Sequence, residues 1–128
     1  MSNFSQAWST CMNRKGMPVP ELDSLGEALE YLDALHSALE NSGGAEGAVT
    51  LGGLIASGAL AGVGEGTLIV LGTIAEIAAL VYINAAIGCA SSVAGSELRS
   101  LFASNDLPGF VVDALGEQGV DLEAQAAA

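Results

Sequence analysis

The chain has 128 residues, enough for one compact domain, and it is 51% apolar and only 14% charged, against about 25% charged in an ordinary soluble domain. Lys and Arg number 3 against 15 Asp and Glu, a formal net charge of -12. That balance excludes nucleic-acid binding through neutralised phosphates and docking on anionic lipid through a basic patch.

Residues 1–20 read as an N-terminal arm. Arg14 and Lys15 are followed by Pro18 and Pro20 rather than by an apolar run, so this is not a signal peptide, and any export would avoid the general secretory route. Cys11 and Cys89 lack a CxxC partner and nearby His ligands, which leaves no zinc site. A disulfide between them is open, but two unpaired, small, buried side chains are the preferred reading.

Residues 21–44 form an amphipathic acidic helix. Ser24 and Glu27 have capping-box spacing, and Gly43-Gly44 provides a stop. Leu22, Leu25, Leu29, Leu32, His36 and Leu39 recur three and four residues apart and make one apolar stripe. His36 belongs to the edge of that stripe and is not read as a ligand or catalyst.

Residues 45–96 are the centre of the argument. Gly47 to Gly64 is a run of 18 residues without a charge, about 27 Å long as a helix against a hydrocarbon thickness of about 30 Å. Thr67 to Ala90 adds 24 residues with one charge, Glu76. A break at residues 62–66 turns the two into a helical hairpin, with helices expected near 47–64 and 67–95. Alternation is poor and Gly and Ala disfavour strands, so the expected fold class is all-α: a hairpin of two glycine/alanine-rich, membrane-competent helices flanked by amphipathic acidic helices. Six of the 18 residues in the first run are Gly, each costing roughly 1 kcal/mol relative to Ala in a water-exposed helix. In a bilayer the backbone has to satisfy its own hydrogen bonds, and helix forms regardless.

Gly58, Gly62 and Gly66 stand at i, i+4 and i+8, the spacing that lays bare backbone along one helix face for close helix approach. Gly44, Ala48, Gly52 and Ala56 carry the small-residue spacing further back, and Ala75, Ala79, Ala86, Ala90 and Ala94 repeat it in the second run. Gly66 cannot be both a tooth of a continuous zipper and the hinge of the hairpin. Either the break follows Gly66 or the two belong to different states. A charge at mid-span costs roughly 2 to 3 kcal/mol, so Glu76 should face water or a partner. Lining a pore, Glu65 and Glu76 would favour cations; on a surface helix, Glu76 would simply be solvated.

Residues 97–123 read as two short helices. The first covers Ser96 to Ala103; the second starts at Asp106-Leu107-Pro108, stops at Gly119 and buries Phe110, Val111, Ala114 and Leu115. Residues 124–128 are a tail.

The acidic helix, the Gly58/Gly62/Gly66 zipper, the second span from Leu68 to Ile87 and the missing signal peptide together resemble the small glycine-zipper, pore-forming antibacterial effectors of the type VI secretion system described in Pseudomonas. The resemblance covers residues 20–115 and rests on pattern. It implies a carrier, the hexameric protein of the secretion tube, and a cognate immunity protein in the producer's membrane. It also implies a route from the producer's cytoplasm to the inner membrane of a target cell, where ion gradients are lost. A homo-oligomer in the lipid bilayer follows from a pore.

With one His, no Ser/His/Asp set and no phosphate-binding loop, the chain is not expected to be an enzyme or to carry a cofactor or metal. A buried Ala/Gly core hairpin in a soluble domain fits the same pattern. So do a resident two-span membrane protein of the holin or immunity type, which usually carries Lys or Arg beside its spans, and a self-assembling glycine-zipper bacteriocin.

Overall fold

A computed structural model describes residues 3–42, 49–60 and 62–120, and among them the chain is all-helical. The helices are α1 (Asn3–Arg14), α2 (Leu25–Glu40), α3 (Leu51–Ala56), α4 (Glu65–Gly72), α5 (Ala79–Val93), α6 (Gly95–Ala103) and α7 (Gly109–Glu117). The Gly43-Gly44 stop, the Gly44 and Ala48 small-residue positions and the tail lie outside the described residues.

α5 is the axis of the bundle. It is apolar along most of its length and buries Ala79, Tyr82, Ile83, Ala86, Ile87, Cys89 and Ala90. α1, α2, α6 and α7 all pack against it. Ala79, Ala86 and Ala90, small residues of the second run, are buried on α5 beneath these neighbours.

α2 matches the sequence reading closely. Ser24 Oγ accepts from the Glu27 backbone N–H at 3.2 Å, while the Glu27 carboxylate reaches back one residue further, to the Asp23 N–H at 2.7 Å. Leu25, Leu29, Leu32 and Leu39 are buried with Ala28, Tyr31, Leu35 and Ala38, so the stripe is wider than the leucines alone. His36 sits at the core edge, stacked on Phe110 of α7 with ring centroids 4.3 Å apart, and its Nδ1 lies 3.0 Å from Glu40.

The N-terminal arm is instead a helix of twelve residues. Phe4, Trp8 and Met12 repeat every four residues and are buried, with Cys11 beside them. Gly16, at φ +71°, closes α1: its N–H donates to Asn13 O, and that of Met17 donates to Met12 O. The following prolines cannot prolong the helix.

Cys11 and Cys89 are not the unpaired thiols expected. They form a disulfide between α1 and α5, with Cα atoms 5.8 Å apart and a sequence separation of 78. Only once residues 3–14 are known to be a helix docked along α5 does the pairing become apparent. Beside it, Trp8 Nε1–H donates to Ala86 O at 3.1 Å.

Tyr82 O–H donates to Pro18 O at 3.0 Å, which leaves Tyr31 as the donor in the 2.7 Å contact between the two hydroxyls. Burial, and next the neighbouring Tyr82, holds the Tyr31 hydroxyl far above the ordinary phenol range. Its folded-state value is raised, so its contribution to stability is complete below the ordinary phenol pKa of about 10 and declines as pH rises above it.

α6 and α7 follow expectation. Asn105, at φ 62°, ends α6, and Gly119, at φ +84°, ends α7. Val111, Ala114 and Leu115 are buried and Phe110 is half-buried. Pro108 stands just before the first helical residue rather than inside the first turn.

Candidate membrane-active region

The two long helices expected near 47–64 and 67–95 are not formed as such. Among the described residues the first run gives only α3. Thr50 caps it, its Oγ1 accepting from the Gly53 N–H at 3.0 Å, and Gly58 at φ +80° takes the chain out of the helix. Leu60 turns inward to burial, and Gly64 at φ +94° leads into α4. The second run is split into α4 and α5 by a turn over residues 73–78. High glycine content explains the first departure, since a helix in water loses roughly 1 kcal/mol at each Gly.

α3 and α4 pack mainly on each other. Leu51, Leu54, Leu60 and Leu71 close the inner side of this pair and join the core. α4 carries Leu68, Ile69, Val70 and Leu71 in succession, which places apolar side chains around its whole circumference. Of these only Leu71 is buried, and Ile69 is 69% exposed. Among the described residues Val81, 52% exposed on α5, is the other large apolar side chain open to solvent. Apolar residues on all sides normally mark a core helix or a membrane segment.

The Gly58/Gly62/Gly66 stripe is not assembled. Gly58 and Gly62 lie in turns, Gly66 is the second residue of α4, and a Cβ on any of the three would meet nothing within 4 Å. The close approach is made by Gly52. A Cβ there would stand 2.9 Å from Ala75 Cβ and 3.1 Å from Ala75 O. Gly52 and Ala75 both carry the small-residue spacing, but spacing could not pair them, because what Gly52 faces is set by a turn more than twenty residues later. The Gly52-Gly53 pair just after Thr50 was the available signal.

Glu65 and Glu76 are both exposed. Glu65 opens α4, where a carboxylate faces the positive end of the helix dipole. Glu76 lies in the turn before α5, not at the centre of a helix as expected. Among the described residues no group of three His, Cys, Asp or Glu is placed to hold a metal. No single helix among them is long and apolar enough to cross a membrane. α5 and α6 together have the length and composition but meet at 102°.

These positions separate fold from function by mutation. Gly52→Leu must push Ala75 and its backbone aside, and should cost about 1–3 kcal/mol in thermal melts. Gly62→Leu enters open space and should stay within about 0.5 kcal/mol of the parent. A large loss for Gly62→Leu would contradict the geometry.

No family model matches the chain, and no curated protein or solved structure is similar to it.

Proposed function

We propose that this chain is a secreted antibacterial toxin that inserts in the inner membrane of a target cell, assembles a pore and dissipates ion gradients. The observation that carries the reading is α4, an apolar helix at the surface of an acidic protein with Ile69 exposed and Leu68 and Val70 only half-buried, within a stretch whose only charges are Glu65 and Glu76. In water such a surface is a liability; in hydrocarbon it is a match. The Cys11–Cys89 disulfide agrees with action outside a reducing cytoplasm. The reading is non-catalytic. The hexameric tube protein as carrier and a membrane immunity protein as antidote rest on the resemblance to the glycine-zipper effectors and are part of the proposal.

None of Gly58, Gly62 and Gly66 makes a close packing contact in this fold, although Gly58 serves its left-handed turn, and in an inserted state they would be available to pack helices. Gly62→Leu should therefore reduce conductance while leaving the folded protein's stability nearly unchanged. The direct test is a planar bilayer under a salt gradient. With no basic residue between Lys15 and Arg99, an aqueous path is electronegative, so the reversal potential should lie on the cation side and Glu76→Gln should move it towards zero. Anion selectivity, or no conductance from folded protein at any dose, would count against the pore.

A further inference from the structure

The turn between α4 and α5 is Thr73-Ile74-Ala75-Glu76-Ile77-Ala78, and it contains no Gly, Pro, Asn or Asp. Gly72 ends α4 and the Thr73 Oγ1–H donates to Val70 O at 2.7 Å, but neither stops a helix as proline would, and no turn residue holds 74–78 out of one. The break is imposed from elsewhere in the chain. In a continuous helix the Ala79 N–H would donate to Ala75 O, four residues earlier. Here both partners are taken by the segment 49–52: Ala79 N–H donates to Val49 O at 2.8 Å, and Ala75 O accepts from the Gly52 N–H at 2.9 Å. Ile77 O, which a continuous helix would pair with the Val81 N–H, instead accepts from the Leu51 N–H at 2.9 Å. Thr50 and Ala78 form an isolated antiparallel bridge in the middle of this exchange. Gly52 is what lets the segment come so close.

We propose that α4 and α5 are two halves of one helix held apart by residues 49–52, and that contact with a phospholipid bilayer withdraws this segment and lets 65–93 close into one continuous span. The inference rests on the membrane reading given above and adds its structural step. The 29 residues from Glu65 to Val93 would reach about 43 Å as a helix, more than the roughly 30 Å of hydrocarbon. Within 65–93, each of the freed groups, Ala75 O, Ile77 O and Ala79 N–H, has its helical partner four residues along the same chain. That is the only arrangement the interior of a bilayer tolerates for a single segment. In water the broken form is favoured because folding back buries Leu71, Ala79, Tyr82 and Ile83.

Two measurements on the full chain test this. Spin labels on Glu65→Cys and Val81→Cys, both at exposed positions and with the native disulfide intact, are sixteen residues apart, about 24 Å along a straight helix. In phosphatidylcholine vesicles the label distances should move to that spacing, away from the distribution in buffer. An unchanged distribution overturns the proposal. Thr50→Cys with Ala78→Cys, oxidised, fastens the bridge shut and should abolish conductance, with recovery on reduction; wild-type protein in the same reductant is the control. Full conductance from the fastened protein also overturns it. Conductance with unchanged label distances leaves the pore standing and removes the helix closure. The straight-helix spacing without conductance keeps the closure and removes the pore.

Discussion

Reducing Cys11–Cys89, or replacing both residues by Ser, will lower the stability of the folded chain by about 4 kcal/mol. The bond closes a loop of 78 residues, so its loss returns a large share of conformational freedom to the unfolded chain. For a domain of this size the thermal midpoint should fall by roughly 15 °C. Thermal melts followed by circular dichroism, with and without reductant, check it. An unchanged midpoint would show that the thiols are unpaired in solution and that α1 gains nothing from its covalent tie to α5.

Trp8→Ala is expected to be of similar size, about 3–5 kcal/mol. The indole is fully buried, stacks on Phe4 at 5.7 Å and meets Tyr31 edge-on at 6.4 Å. Its N–H is satisfied by Ala86 O. Truncation therefore leaves a cavity between α1, α2 and α5 and removes a buried hydrogen bond. Trp8 and Cys11 both hold α1 on α5, so the two losses should not add: once the disulfide is reduced, Trp8→Ala should cost less than in the oxidised protein. Chemical denaturation of the four combinations measures that coupling. Full additivity would mean that the two contacts act independently.

The helix at 25–40 was legible because apolar spacing and the Ser24 cap agree there, that at 109–117 because Pro108 and Gly119 bracket an apolar face, and that at 95–103 from its apolar residues. Leu25, Leu29, Leu32 and Leu39 announce one face, and Asn105 and Gly119 supply left-handed ends. α1 was legible in principle through Phe4, Trp8 and Met12, but the prolines after it drew attention to an arm instead. The disulfide depended on α1 and was lost with it. In the central stretch, local pattern and tertiary structure disagree. The run from Thr67 to Ala90 reads as one helix because it holds no proline and only two glycines, Gly72 and Gly88; Gly72 ends α4, and the turn after it is held by backbone bonds with residues 49–52 that no local pattern announces. The glycine spacing at 58, 62 and 66 was read as packing. In the folded chain Gly58 and Gly62 lie in turns and Gly66 lies in α4, and only an inserted state would use the three as a stripe.

The claim at the centre of this account is that the surface around α4 enters a bilayer. Ile69 is exposed, and both native cysteines are held in the disulfide, so Ile69→Cys provides a single reactive thiol for a polarity-sensitive fluorophore. On adding phosphatidylcholine vesicles, the emission should shift to the blue and be quenched by lipids carrying a nitroxide deep in their acyl chains. An emission that stays at its aqueous position at every lipid ratio, with no quenching, would contradict insertion.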